Sequence, residues 1–209
     1  MYLFPTEEFF KPTIERTEFF MYADFEELRL DCSNCRKCKL HETRTKLVFG
    51  VGNPESEVLF VGEGPGEQED LKGEPFVGRS GKLLDLYLNG IGLDRYKNIY
   101  IANIVKCRPP ANRDPLPEEQ DECAPWLYEQ IRLIRPRIIV CLGRIAAFRL
   151  ISPNFKVTTE HGLFFEKEGI FYMGTFHPAA LLRDPGKKAA ALGDFLNIKD
   201  KLATQASQE

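Results

Sequence analysis

The sequence lacks any apolar run near the roughly 18 residues that a membrane-spanning helix requires. Its first twenty residues, MYLFPTEEFFKPTIERTEFF, carry charges throughout and contain no small-residue cleavage site, so they do not resemble a secretory signal. Internal repeats are absent too, and the one low-complexity stretch is a polar tail after about Asp200. We therefore expect a cytoplasmic protein that has no membrane partner, and we take it to be a monomer.

The chain also lacks the large positive charge that is typical of nucleic-acid binders, because its formal net charge is −3. The charge is unevenly distributed, however. Residues 1–30 hold seven acidic and three basic side chains, which leaves a net charge of about +1 on the other 179 residues. The body of the protein can therefore carry local basic surface.

Six cysteines without a signal sequence argue against a disulfide framework and favour metal ligands or buried thiols in a reducing compartment. Three of them lie in CSNCRKCKLHETR, at positions 32, 35 and 38, and Cys107 and Cys123 follow with fifteen residues between them. A C-x2-C pair and two later cysteines can form a four-thiolate site. Zinc and an iron–sulfur cluster both fit such a site. The spacing determines neither which of them is bound nor which two of the first three cysteines form the pair. Cys141, inside IIVCLG, is predicted to be a core thiol.

At 209 residues and 43% hydrophobic composition, the chain is long enough for one core. We predict an extension over residues 1–24, a domain over 25–200 and a polar tail over 201–209. Helical patterns separate four short apolar runs, which favours a three-layer α/β/α sandwich around a central, mainly parallel four-stranded sheet. A hairpin with Glu168 and Gly169 at its turn leads into the last strand. The four predicted strands span residues 58–61, 99–104, 138–142 and 171–174.

The glycine-rich segment GEGPGEQED follows the first of these strands. Its glycines fall at alternate positions and Pro65 interrupts them, unlike the G-x-G-x-x-G of a dinucleotide fingerprint. The segment also lacks the Gly-Lys-Ser/Thr of a P-loop, and its carboxylates would repel a pyrophosphate. A close backbone approach to a neutral, planar ligand fits better, with Phe76 as a stacking face. On periodicity alone, a core aromatic is the better interpretation of Phe76.

Four motifs together resemble a known family. GEGPGEQED…GEPFVGRSGKLLD, NIVKCRPPANRDP and FHPAALLRDP are similar to three motifs of the uracil-DNA glycosylase superfamily. With CRKCKLHETRTKLVFGVGNP upstream, the match is to its iron–sulfur-containing class, often called family four. The resemblance covers about residues 30–195, in the family's order.

The resemblance implies a 4Fe–4S cluster, and it selects Cys35 and Cys38 as the pair because in that family the C-x2-C pair directly precedes KLHETRT. It leaves Cys32 as an extra thiol, and the cluster is expected to connect an N-terminal segment to the loop that follows the second predicted strand. Basic residues of that loop, with Lys106 among them, are expected to neutralise DNA phosphates. The implied cluster ligands are Cys35, Cys38, Cys107 and Cys123, and the implied phosphate contacts are Arg108 and Arg113.

For the pocket, the resemblance implies that a flipped uracil is read by the side-chain amide of Asn103 and stacks on Phe76. His177 is expected to donate a hydrogen bond toward O2 of the departing uracil anion. Backbone N–H groups at the start of the glycine-rich segment would add donors. The residues implied there are Gly62, Glu63 and Gly64.

Gly64 occupies the position where other members of the superfamily carry a water-directing aspartate. Glu63 and Glu69 are the remaining candidates for positioning water or the sugar, and Glu69 has a second interpretation as a guard against the methyl group of thymine. In HPAALLRDPGKK, either Leu181 or Leu182 is expected to enter the vacated base stack, and Arg183 to contact the DNA backbone.

We therefore expect a DNA repair enzyme that hydrolyses the N-glycosidic bond of uracil in DNA and leaves an abasic site, which initiates base excision repair of deaminated cytosine. The alternative is a non-catalytic iron–sulfur protein of the same fold that binds DNA. The acidic, Phe-containing N-terminal arm is a candidate docking segment for a replication or repair protein.

Overall fold

The computed structural model describes residues 22–206, which fold around one mixed sheet. The strand order is β1-β3-β2-β4-β6-β5. Neighbouring strands among β3, β2, β4 and β6 are parallel, while β1 and β5 pair antiparallel at the two edges. The strands are β1 (Val51–Gly52), β2 (Val58–Gly62), β3 (Tyr100–Asn103), β4 (Ile138–Leu142), β5 (Phe164–Lys167) and β6 (Ile170–Thr175).

The prediction of four strands is wrong in number, since the sheet has six, but the four predicted strands are its parallel centre. The edge strand β1 is two residues long, too short to show any alternation in sequence. The other edge strand, β5, is the first arm of the predicted hairpin. The turn of that hairpin is confirmed, because Glu168 and Gly169 have φ values of 52° and 78°.

Helices cover both faces of the sheet, which confirms the three-layer α/β/α architecture. Alternate residues of β2 enter opposite layers. Leu59 packs with α1, α4 and α5, whereas Phe60 packs with α3, α7 and α8. The helices are α1 (Phe25–Ser33), α2 (Glu67–Lys72), α3 (Arg79–Gly90), α4 (Pro117–Ile134), α5 (Arg144–Leu150), α6 (Val157–Glu160), α7 (Pro178–Arg183) and α8 (Lys188–Ala206).

The described chain is folded at both of its ends. Residues 22–24 belong to the domain, because Tyr22 is buried near Trp126 and the Asp24 carboxylate caps α1. Helix α8 continues through residues 201–206 of the predicted tail. The proposed docking arm lies in residues 1–21, outside the described part. Within residues 22–206, no helix is both long and apolar enough to cross a membrane.

Candidate active site and cysteine cluster

The carboxyl ends of β2 and β3 bring the first two motifs together. Asn103, the last residue of β3, lies opposite Gly62, the last residue of β2. The pairing continues past both strands, since the Ile104 N–H donates to the Gly62 carbonyl at 2.9 Å and the Val105 N–H donates to the Glu63 carbonyl at 3.1 Å. The glycine-rich loop and the loop that carries Cys107 therefore leave the sheet side by side, as ligand-binding loops of open α/β sheets do.

The side chain of Asn103 is buried and incompletely bonded. Only 2% of the residue is exposed, and its Oδ1 has no hydrogen-bond partner among the described residues. A buried polar atom without a partner is costly, so such an atom in a native fold calls for a ligand or another explanation. Its backbone carbonyl is held by Lys106, whose Nζ donates to it at 3.0 Å. Asn103 thus presents an acceptor with no partner in the described part of the protein.

Gly62 lies in the narrow space between Asn103 and Phe76. A Cβ on Gly62 would come within 2.5 Å of the Asn103 Oδ1 and 2.6 Å of the Phe76 Cζ. The three residues are therefore in close contact, and only glycine fits at position 62. Phe76 is 6% exposed and has a φ of 54°, which is unusual for an aromatic residue.

His177 follows β6 and is the N-cap residue of α7. Its Nδ1 accepts a hydrogen bond from the Ala179 N–H at 3.2 Å, so the neutral ring carries its proton on Nε2. Burial lowers the pKa of His177 to about 4, with the Arg183 cation acting in the same direction and Glu69 opposing them. Near neutral pH the residue is therefore an uncharged donor through Nε2.

Gly143 and Phe76 position His177 from two sides. Gly143, which follows β4, has a φ of +91°, and a Cβ there would lie 2.8 Å from the His177 Cβ. On the other side, the ring centroids of Phe76 and His177 are 5.6 Å apart. Residues at or just after the carboxyl ends of β2, β3, β4 and β6 thus lie together in one site.

Glu63 and Gly64 continue the β2 strand into the glycine-rich loop. Burial raises the pKa of Glu63 to about 7, with nearby Asp114 raising it further and the Arg144 guanidinium lowering it. A Cβ on Gly64 would lie 2.7 Å from the Val105 Cγ2, so this position has no room for an aspartate without rearrangement of Val105. Glu63 is therefore the carboxyl group nearest in sequence to position 64, where a water-directing aspartate was sought.

Glu69 is bound to the loop that carries Phe76. Its Oε1 accepts hydrogen bonds from the N–H groups of Val77 and Gly78, both at 2.9 Å. Charged acceptors on backbone N–H groups form strong hydrogen bonds. In this arrangement Glu69 holds the Phe76 loop, a contact that no pattern in the sequence indicates.

Among the predicted DNA contacts, two side chains are buried in the domain. Leu181 is 1% exposed and packs in the core, so Leu182, which is half-buried, is the better candidate to enter the base stack. The expectation for Lys106 is wrong. Lys106 is 1% exposed and its Nζ also donates to the Gln130 Oε1 at 2.6 Å, which takes it away from phosphates. Arg183 is exposed at the end of α7.

Arg108 and Arg113, the two predicted phosphate contacts, lie on either side of a 3-10 turn at Pro110–Asn112. Arg113 donates to both carboxylate oxygens of Glu119, at 2.8 and 2.6 Å. The Arg108 Nε donates to the Asn112 Oδ1 at 2.8 Å. Arg113 is therefore largely committed to an internal ion pair, whereas Arg108 makes a neutral contact that a phosphate can replace.

Four of the six cysteines line one small cavity together with Trp126 and Arg44. All six are free thiols, but Cys32 packs in the core and Cys141 in the middle of β4. Within residues 22–206, no three His, Cys, Asp or Glu residues are close enough to hold a single metal ion. The four cavity cysteines are Cys35, Cys38, Cys107 and Cys123.

Three N–H donors point at the sulfur atoms of this cavity. The Trp126 Nε1 donates to the Cys35 Sγ at 3.3 Å, and the Arg44 Nη1 donates to the Cys107 Sγ at 3.2 Å. The backbone N–H of Lys106 donates to the Cys123 Sγ at 3.3 Å. Such hydrogen bonds stabilise thiolates and are typical of metal-bound cysteines.

Comparison with known proteins agrees with this geometry. The family model of the uracil-DNA glycosylase superfamily matches residues 49–198. The type-4 uracil-DNA glycosylase of Archaeoglobus fulgidus is 48% identical over 173 residues, which are 79% of this chain and 86% of that protein. The type-4 enzymes of Sulfurisphaera tokodaii and Thermotoga maritima are 43% and 46% identical, over 86% and 72% of this chain and 85% and 79% of their own lengths. The chain therefore belongs to the uracil-DNA glycosylase superfamily, within the group of the type-4 proteins.

Proposed function

We propose that the protein is a uracil-DNA glycosylase that hydrolyses the N-glycosidic bond of a flipped uracil, leaves an abasic site and initiates base excision repair. The observation that carries the proposal is the Oδ1 of Asn103, which is buried beside Phe76 and has no hydrogen-bond partner within residues 22–206. A base inside a duplex hides its Watson–Crick edge, so a residue can read that edge in a pocket only after the nucleotide has been flipped.

Asn103 reads uracil through both groups of its amide. The Oδ1 accepts from N3–H of uracil, and the amide NH2 donates to O4. Cytosine presents the reverse pattern at these positions, so it would leave two buried polar groups unpaired, which strongly disfavours its binding. Phe76 supplies the stacking face for the ring.

His177 stabilises the departing base. Cleavage leaves negative charge on uracil, and the Nε2–H of neutral His177 donates toward O2, where much of that charge resides. The hydrogen bond from the Ala179 N–H to Nδ1 fixes the required tautomer. Because the imidazole is already neutral, no proton has to leave it before the reaction.

Glu63 is the group that we assign to the attacking water. It is next to the glycine that replaces the usual aspartate, and a pKa of about 7 leaves a useful fraction of it ionised at neutral pH. Ionised Glu63 orients water and favours positive charge on the sugar. Glu69 acts through the Phe76 loop, which it holds by two hydrogen bonds.

The four cavity cysteines fit a 4Fe–4S cluster. Their sulfurs surround a cavity, and three of them receive N–H hydrogen bonds, as expected for cluster thiolates. A cluster bound there would connect the N-terminal segment to the loop that holds Cys107 and to helix α4, which holds Cys123. That cross-link would support the loop that follows Asn103, and it requires no redox step on the substrate.

Uracil-containing DNA is the proposed partner, bound by a monomer. Leu182 enters the vacated base stack, and Arg183 and Arg108 contact the DNA backbone. None of the six cysteines is in a disulfide, which supports a reducing, cytoplasmic location.

The test is release of free uracil from an oligonucleotide that contains one uracil, measured by chromatography, together with alkaline cleavage of the strand at the abasic site. Matched oligonucleotides with cytosine or thymine at that position are the controls. We expect release from the uracil strand alone and its loss in His177→Ala. Absence of release by wild-type protein, with equal DNA binding by His177→Ala, would overturn the enzyme assignment and leave a DNA-binding protein.

A further inference from the structure

Phe76 adopts an unfavourable backbone conformation that neighbouring residues must stabilise. Its φ of 54° lies in the left-handed region, which aromatic residues rarely occupy. It lies in the loop between α2 and α3 rather than in a regular element. Such conformations persist where the surrounding structure over-determines them.

Arg95 lies in the segment between α3 and β3, and its guanidinium makes hydrogen bonds to the Phe76 loop. Only 6% of Arg95 is exposed, which is uncommon for an arginine. Its Nη1 donates to the Pro75 carbonyl at 2.9 Å and its Nη2 donates to the Phe76 carbonyl at 2.8 Å. On the other edge, its Nε donates to the Asp85 Oδ1 at 2.8 Å. One planar guanidinium thus connects helix α3 to two successive carbonyls of the loop.

Two further contacts fix the opposite side of the same loop. Glu69 binds the N–H groups of Val77 and Gly78, the two residues after Phe76. A Cβ on Gly81 would lie 1.7 Å from the Phe76 carbonyl oxygen, so α3 and the loop approach to a distance that only glycine permits. Arg95 therefore holds the loop by its carbonyls and Glu69 holds it by its N–H groups. Gly81 adds a close backbone contact between the loop and α3.

We propose that Arg95 is a positioning residue for uracil recognition, acting through Phe76. It holds the Phe76 peptide so that the ring stays against Gly62 and beside the Asn103 amide, where a flipped uracil stacks. The proposal rests on the glycosylase function and adds a residue outside the pocket. Lysine cannot replace it, because one ammonium cannot reach two carbonyls and a carboxylate in the geometry of a planar fork.

The competing explanation is that Arg95 only stabilises the fold. A double-mutant cycle separates the two, because residues that act through one another are not additive. The variants are Arg95→Lys, Phe76→Ala and the double variant, each assayed for uracil release. We expect Arg95→Lys to lower kcat/KM about tenfold or more in the wild-type background, as partial loss of base stacking would. In the Phe76→Ala background we expect a further change of less than about twofold.

Arg132→Lys is the matched control. Arg132 also bonds a carboxylate and a backbone carbonyl, those of Glu129 and Tyr22, but it does so on α4, outside the pocket constellation. We expect it to change the melting temperature without lowering kcat/KM. Equal losses from Arg95→Lys in both backgrounds, or no loss in either, would overturn the proposal.

Hydrogen exchange gives a readout that does not need activity. Arg95→Lys should speed exchange of the Val77 and Gly78 amides, whereas Arg132→Lys should leave it unchanged. If wild-type protein releases no uracil, the proposed glycosylase function is wrong. Unchanged exchange of the Val77 and Gly78 amides in Arg95→Lys would instead overturn the positioning role of Arg95. Should Arg95→Lys not fold, Asp85→Asn replaces it in both experiments, since it removes the carboxylate that orients the guanidinium.

Discussion

The ring of Phe76 lies 5.6 Å from the ring of His177, centroid to centroid, with the two planes inclined by 33°. Phe76 comes from the loop after α2, and His177 comes from the end of β6. Their contact places an apolar face next to a neutral hydrogen-bond donor. Under the proposed function, a uracil that stacks on Phe76 lies close to His177, so recognition of the base and stabilisation of the departing anion occur side by side.

Gly62 is the first target for mutation. Gly62→Ala would place a Cβ within 2.6 Å of both the Asn103 Oδ1 and the Phe76 Cζ, so we expect a loss of kcat/KM of about a hundredfold, because both contacts to uracil are displaced. Uracil-release kinetics and thermal unfolding measure the effect. The control is Gly193→Ala in α8, where a Cβ would meet no atom within 4 Å. It should keep full activity and gain up to about 1 kcal/mol of stability, and equal activity of the two variants would contradict the prediction.

His177 predicts a pH dependence of stability. Burial lowers its pKa from 6.5 to about 4 in the folded protein. As the pH falls below 6.5 the unfolded chain takes up a proton that the folded chain does not, so stability present above pH 6.5 is lost progressively toward pH 4. Urea unfolding at pH 7.5 and 5 should show that the free energy of unfolding falls by about 1–2 kcal/mol more in wild type than in His177→Asn. Equal falls in the two proteins would contradict a buried neutral histidine.

Glu63 predicts a pH dependence of rate. If its ionised form orients the water, the single-turnover rate should rise with pH through an apparent pKa of about 7. Asp114→Asn removes a negative charge that raises this pKa, so the rise should move to lower pH. Arg144→Gln removes the cation that lowers it, so the rise should move to higher pH. A rise that stays in place in both variants assigns the titration to another group.

The cysteines predict two classes of variant. Cys123→Ser should lose bound iron and the broad absorbance near about 400 nm that iron–sulfur centres give. Cys32→Ala and Cys141→Ala should keep both, because these residues lie in the core outside the cavity. Iron content per chain and the visible spectrum are the measurements. Retention of iron by Cys123→Ser, or a colourless zinc-loaded wild type, would contradict the cluster assignment.

Local pattern in the sequence determined much of the architecture. The four parallel strands are continuous apolar runs because they are buried on both faces, and β4 begins and ends where predicted, at Ile138 and Leu142. Helix α4 begins at Pro117, whose missing N–H costs nothing in a first turn. The motifs themselves could be identified by their resemblance to a known family, because each is a short continuous segment whose residue types follow from its chemistry.

Tertiary structure decided which of those residues meet. The register of β2 against β3 sets Gly62 opposite Asn103, and no local pattern encodes a register between strands. Leu181 and Leu182 are adjacent and chemically identical, yet helix α7 turns the first into the core. Lys106 was expected to contact DNA phosphates and no motif includes Arg95, yet both are buried because long-range packing supplies carbonyl and side-chain acceptors for them. The sequence alone thus determined the elements and the chemistry, whereas burial and long-range hydrogen bonds decided what each residue contacts.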